Sequence, residues 1–392
     1  HDALPISLFS PVVRTELDLV HWEPRNDNDS PHSTNWDLLR SQASANAALQ
    51  ERIGLYRKLV ARKDSVCASV WTIPEWLCAE PGRGYWTAGR RIAPGAEEEF
   101  LECLVSHLVY LRDSCGFEPE WISFNEPELG IRILFSATEY RDILQRLTVA
   151  LRKAGLRSRI ILGDVASPAG IDFVRAVLDS LTDRGRIGGL AFHSWHDADA
   201  ATYEAWRELA NEMDLPLLVT EVGVDPAAYL FPWIFGTHSY AMDELRLFHR
   251  LMRFARPEAL VYWQFTKNYG ILGMGEKPEP TPRYWFLRHL CNLTPSPSRY
   301  LASTSSHEDV TITAFRVPSA RRPLLVLHIA NFNAARAATV SGLPPACTGV
   351  TPVVTGEGQS YRIGSSLPVE AGKLSINLPA RSLVTLTTIP HQ

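Results

Sequence analysis

Lysine is scarce in this sequence, found only at positions 58, 63, 153, 267, 277 and 373, so its positive charge is almost all arginine. The 39 basic and 43 acidic residues leave a net charge of -4. That balance gives no basic face or stripe of the kind nucleic-acid binders carry, and it favours a neutral partner. Cysteine is also sparse: residues 67, 78, 103, 115, 291 and 347 are scattered and lack CxxC spacing. Six cysteines in 392 residues are too few for a disulfide framework and show no zinc-ligand pattern. No metal and no cofactor are expected, and one or two disulfides stay open. No run approaches the ~20 apolar residues that cross a bilayer, so no membrane partner is expected. Residue 1 is His rather than Met, and no charged-then-apolar leader follows it. The expectation is a chain whose beginning has been removed. There is no internal repeat and no low-complexity segment.

What remains is an ordinary globular composition, 45% apolar and 21% charged. The length suits one barrel of roughly 250 residues with a smaller module of about 100. From residue 12 to 291, short apolar runs alternate with longer amphipathic ones, the order expected of parallel strands joined by crossover helices. Strands are expected at Val12-Val20, Ser65-Val70, Trp121-Phe124, Ile160-Asp164, Gly189-His193, Leu217-Glu221 and Leu260-Phe265. Helices are expected near 36–62, 97–115, 137–154, 170–182, 200–213, 239–255 and 282–291. Ser136-Ala137-Thr138-Glu139 has the spacing of a capping box at one helix start.

Seven strands fit a (β/α)8 barrel whose first β/α unit is missing or truncated; an open, doubly wound sheet is the alternative. After Thr294-Pro295-Ser296-Pro297-Ser298 the texture changes to alternating runs such as Val310-Phe315, Leu324-Ile329, Val350-Val354, Leu374-Leu378 and Leu383-Thr388. That pattern predicts an antiparallel β-sandwich. The expected division is a catalytic barrel over 1–291 and a sandwich over 292–392.

Two strands end in a glutamate. Trp121-Ile122-Ser123-Phe124 runs into Asn125-Glu126-Pro127, where the proline stops the ladder because it has no N–H to donate. Leu217-Leu218-Val219-Thr220 delivers Glu221 in the same way. The C-terminal strand ends of a parallel barrel open on one face, where active sites form. Glycoside hydrolysis needs two carboxyls there, one protonated for the leaving group and one ionised. Glu126 and Glu221 are therefore the expected catalytic pair.

At these residues the sequence resembles the clan A glycoside hydrolases, in which Asn-Glu-Pro after strand four carries the acid/base and a Glu ending strand seven is the nucleophile. Ser69-Val70-Trp71-Thr72-Ile73-Pro74-Glu75-Trp76 and the trailing sandwich resemble family 30 most, with families 39 and 5 as close alternatives. The resemblance implies Glu126 as acid/base and Glu221 as nucleophile. It further implies Arg14 as the cation holding the nucleophile ionised, Asn125 as donor to a sugar 2-hydroxyl, and Trp263 as a platform under the ring.

Trp71, His193 and Trp195 are further substrate-binding candidates. Trp195 stands where the clan's His-x-Tyr has tyrosine, so the usual tyrosine hydroxyl to the nucleophile is absent. His193 with His196 and Asp197 is the competing, metal-binding reading. His21-Trp22-Glu23-Pro24 and Lys267-Asn268-Tyr269 are expected to line the cleft.

The expected activity is retaining hydrolysis of a β-linked glycan by a monomer, secreted or periplasmic rather than cytoplasmic. The glycan itself is open among xylan, β-glucan and β-1,6-galactan. A catalytically impaired carbohydrate-binding protein and a transglycosylase are the alternatives.

Overall fold

The computed structural model describes residues 12–82, 88–264, 267–273, 279–318 and 324–389. Those of 12–222 with Pro257–Val261 form one compact unit; the rest form a second.

The first unit is built on a parallel sheet of seven strands among the described residues, in the order β1 to β7: β1 (Val12–Glu16), β2 (Ser65–Val70), β3 (Trp121–Phe124), β4 (Arg159–Val165), β5 (Ile187–His193), β6 (Leu217–Val222) and β7 (Ala259–Tyr262). Helices α1 (Leu19–Trp22), α2 (Trp36–Ala45), α3 (Ala47–Arg62), α4 (Glu97–Cys115), α5 (Ala137–Lys153), α6 (Ile171–Ser180) and α7 (Ala200–Met213) lie between them. This is a (β/α)8-type barrel architecture. The chain order of its strands is their spatial order, which rules out the doubly wound alternative, where strand order reverses.

Side chains alternate across a strand, so every second residue points into the barrel. Val12, Cys67, Trp121, Ile161, Ala191, Leu218 and Ala259 make one apolar layer, one from each strand. Two residues further along, toward the C-terminal ends, the inward positions turn polar: Arg14, Ser69, Ser123, His193 and Thr220. The apolar layer thus floors a polar one.

Local chemistry explains where the expected elements shift. β1 stops at Glu16 rather than Val20 because Asp18 Oδ1 accepts from the backbone N–H of His21 at 3.0 Å and starts α1. The helix expected over 36–62 breaks at Asn46, whose side chain caps α3 at the N–H of Leu49, 3.1 Å away. The box at Ser136 and Glu139 forms at the start of α5. β7 ends at Tyr262, and Phe265 lies outside the described residues. All six cysteines are free thiols.

The second unit contains helices α8 (His238–Arg250) and α9 (Pro282–Leu293) and an all-antiparallel module. Its larger sheet runs β13 (Gln359–Ile363), β12 (Gly349–Gly356), β16 (Ser382–Thr387), β10 (Leu324–Asn331), β9 (Val310–Val317), β8 (Arg299–Leu301), with β14 (Leu367–Pro368) beside β12. A two-stranded sheet of β11 (Arg336–Ser341) and β15 (Lys373–Leu378) faces it. Leu325, Leu327, Ile329, Val384 and Leu386 from one sheet pack with Val340, Leu374 and Leu378 from the other, the core of a β-sandwich. Residue 291 falls inside this unit because Phe286 of α9 packs with Leu245 of α8 and with Ala330 and Leu383 of the sandwich.

Candidate active site

The polar layer is organised around Asp164, a residue that sequence reasoning placed only as a strand end. β4 breaks register between Gly163 and Val165, and both Gly163 (φ 99°) and Asp164 (φ 56°) are left-handed. A Cβ at Gly163 would collide with the carbonyl oxygen of Ala191, so only glycine fits there. The bulge turns Asp164 inward, where its side chain is wholly buried. Its Oδ2 accepts from Arg14 Nη2 at 2.8 Å, Ser123 Oγ at 2.7 Å and Ser69 Oγ at 3.0 Å. Its Oδ1 accepts from Thr220 Oγ1 at 2.5 Å and lies 3.0 Å from His193 Nε2. Burial alone would raise this carboxyl; Arg14 and His193 overcome burial and hold it well below the usual carboxylate range.

Arg14 reaches four partners from β1. Besides Asp164, it donates to Glu221 Oε1 at 2.7 Å, Asn125 Oδ1 at 2.6 Å and Ser69 Oγ at 3.1 Å. Trp71, which follows β2 and is partly exposed, sits with its ring centroid 5.7 Å from the guanidinium carbon. Because Asn125 spends its carbonyl oxygen on Arg14, its amide N–H groups are the part able to donate to a sugar hydroxyl.

Glu126 follows immediately in a left-handed conformation (φ 47°), with its backbone N–H bonded to the carbonyl of Asp164 at 2.9 Å. Such strain in a non-glycine residue persists only where the surroundings enforce it, and it clusters at functional sites. His193 Nδ1 lies 3.0 Å from Glu126 Oε1 and 3.4 Å from Glu221 Oε2. Burial disfavours a charged imidazole, but Glu221, Asp164 and Glu126 together push His193 up to about 10. In its protonated form it donates from both nitrogens, to Glu126 and to Asp164.

Glu221 emerges from β6 with 4% of its side chain exposed. The partner left open by the missing tyrosine is Trp195, whose indole Nε1 donates to Glu221 Oε2 at 3.1 Å. Burial pushes the Glu221 carboxyl up, while His193 and Arg14 pull it down. One carboxylate oxygen each of Glu126 and Glu221, with a ring nitrogen of His193, lie within 4.8 Å of one another. Three acidic groups, Asp164, Glu126 and Glu221, face the two basic groups Arg14 and His193 here.

Glu126, His193 and Glu221 also have metal-like spacing, with both His193 nitrogens already against carboxylates, Nε2 at Asp164 and Nδ1 at Glu126. The His193, His196 and Asp197 reading fails on burial: His193 is wholly buried, whereas His196 and Asp197 are exposed. Trp22 does not line a cleft either; it is fully buried and stacked on His107 at 4.9 Å. Trp263, partly buried after β7, and the Lys267-Asn268-Tyr269 segment belong to the second unit, and Tyr269 is buried with its hydroxyl on the carbonyl of Asp225 at 2.9 Å. Asp164 did carry a signal in the sequence: like Glu126 and Glu221, it is an acid ending an apolar strand.

No protein-family model and no curated protein matches the sequence. Solved structures do match its fold. A family 30 endoxylanase from Clostridium papyrosolvens C71 superposes at a TM-score of 0.72, with 16% identity over 96% of this chain and 88% of that one. A family 30 subfamily 8 xylanase from Clostridium acetobutylicum gives 0.73 and 15% over the same shares. A conserved exported protein from Bacteroides fragilis gives 0.66 and 13%, again over 96% and 88%. The chain has the barrel-and-sandwich fold of the family 30 glycoside hydrolases.

Proposed function

We propose that this protein is a retaining glycoside hydrolase acting on a β-linked glycan. The observation that carries the reading is that one carboxylate oxygen of Glu126 lies within 4.8 Å of one of Glu221. Retaining enzymes hold their two carboxyls about 5–5.5 Å apart, whereas inverting ones leave roughly 6.5–9.5 Å for a water molecule. Glu221, paired with Arg14 and Trp195, is the nucleophile: its carboxylate forms a bond to the anomeric carbon as the glycosidic bond breaks. Glu126 gives its proton to the departing oxygen. It then takes a proton from water, which attacks the anomeric carbon and releases Glu221. Asn125 donates to the sugar 2-hydroxyl, His193 keeps both glutamates oriented, and Trp71 offers a ring face at the rim.

The fold shared with two xylanases supports a polysaccharide as substrate. A polymer of that kind is met outside the cell, and the likeness to an exported protein supports secretion. No described helix is long and apolar enough to cross a membrane. Aryl β-glycosides assayed with wild type and Glu221→Ala test the reading: turnover by wild type with a loss of ~10⁴-fold or more in the variant is expected of an essential nucleophile. A folded wild type that turns over no aryl β-glycoside or β-glycan would favour a binding protein instead.

A further inference from the structure

A second group of acids lies in the first unit, apart from the carboxyls described above. Glu23 ends α1 and is completely buried; Asp27 follows in the same loop and is 7% exposed; Glu102 comes from α4 and is partly buried. One oxygen from each lies within 4.8 Å of the other two. Several contacts fix this arrangement. Glu23 Oε1 accepts from the Asp27 N–H at 3.3 Å, Asp27 Oδ2 from the Asn35 N–H at 2.5 Å, Asp27 Oδ1 from the Asn28 amide, and Glu102 Oε1 from Thr34 Oγ1 at 2.5 Å. The other oxygens, Glu23 Oε2 and Glu102 Oε2, are buried with no hydrogen-bond partner. Among the described residues, no Lys, Arg or His forms an ion pair with any of the three acids.

A buried carboxylate oxygen left without a donor is costly, because it loses its water and gains nothing. The Cys103 thiol beside Glu23 is fully buried and offers only a weak donor. A cation held among the three carboxyls would supply the positive charge that their surroundings lack. Calcium takes oxygen ligands at 2.3–2.6 Å in a flexible shell, so two oxygens on one ion stand up to about 5 Å apart. Magnesium demands a tighter octahedron at 2.0–2.1 Å.

We propose that Glu23, Asp27 and Glu102 form a calcium site that ties the loop after β1 to α4. Glu99, whose Oε2 is likewise buried and unpartnered on the same face of α4, stands ready as a further ligand. The site departs from the expectation of no metal, which rested on cysteine and histidine spacing and is blind to oxygen ligands converging from separate elements. It has a consequence for the barrel mouth: Trp76 Nε1 donates to the carbonyl of Glu23 at 2.9 Å, linking this loop to the one that begins at Trp71. The proposal is independent of the glycosidase reading.

The test is calorimetric titration of the full chain, stripped with EDTA, with calcium chloride and in parallel with magnesium chloride, alongside thermal melts in both. One calcium per chain is expected, with Kd on the order of 10⁻³ M or tighter, a higher melting temperature in calcium, and weaker binding of magnesium. Glu102→Gln, checked for folding by circular dichroism, should weaken calcium at least tenfold; Asp27→Asn serves if that variant does not fold. The proposal is overturned by the absence of calcium heat and melting shift in wild type, by magnesium binding more tightly, or by undiminished calcium binding in a folded variant.

Discussion

The indole Nε1 of Trp195 donates to Oε2 of Glu221 at 3.1 Å. With Arg14 on the other oxygen at 2.7 Å, both carboxylate oxygens are held and the group is oriented before substrate arrives. Trp195→Phe keeps the bulk and removes the donor. Loss of one preorganised donor to a charged reacting group costs about 10²-fold in kcat, and that fall, with KM little changed, is expected. Trp195→Tyr, whose hydroxyl can donate from the same position, should recover part of it. Unchanged kcat in Trp195→Phe would mean that Arg14 and His193 position Glu221 without the indole.

Asp164 is the shared counter-ion of Arg14 and His193. Asp164→Asn leaves two buried cations with one fewer anion, and breaking a buried ion pair from one side costs about 3–5 kcal/mol. Chemical denaturation should show an unfolding free energy lower by roughly that amount at pH 7, together with loss of turnover. An unfolding free energy within about 1 kcal/mol of wild type would show that the serines and Thr220 carry the layer without the charge.

His193 gives a pH signature. Its folded pKa of about 10 lies above the ordinary value of 6.5, so its stabilisation is complete below about pH 6.5 and fades as pH rises through 10. The melting-temperature advantage of wild type over His193→Gln should therefore be largest near pH 6 and shrink between pH 6.5 and 10. An advantage that grows with pH would contradict a charged His193.

Four other histidines, His107, His249, His289 and His328, act in the opposite direction. Burial pushes His107, His249 and His328 each down to about 3. Between that value and 6.5 the unfolded chain binds protons that the folded one does not, so stability falls as pH drops below about 6.5. His107→Phe, which keeps the stack on Trp22, should flatten the first unit's share of that acid loss in melts from pH 7 to 4. An equally steep loss in the variant would assign it to other groups.

Much of the fold was legible because parallel strands and amphipathic helices leave strong periodic signals, and Glu126 and Glu221 were legible as acids ending apolar strands. Asp164 was not singled out, since its inward turn depends on a bulge at Gly163 that no spacing announces. The bond from Trp195 to Glu221 depends on the chain reversing after β5, where His196 and Asp197 are both left-handed (φ 67° and 43°). Glu23, Asp27 and Glu102 come from a loop and a helix more than seventy positions apart, and only the folded chain brings them together. Trp22 looked like a cleft residue because it follows β1, but α1 turns it into the core.

The measurement that bears most directly on the two-glutamate mechanism is proton NMR of the first sugar released from a β-linked substrate. Double displacement through Glu221 gives the β-anomer first, followed by slow mutarotation to the equilibrium mixture. The α-anomer appearing first would mean a single displacement by water, and the assignment of Glu221 as nucleophile would be wrong.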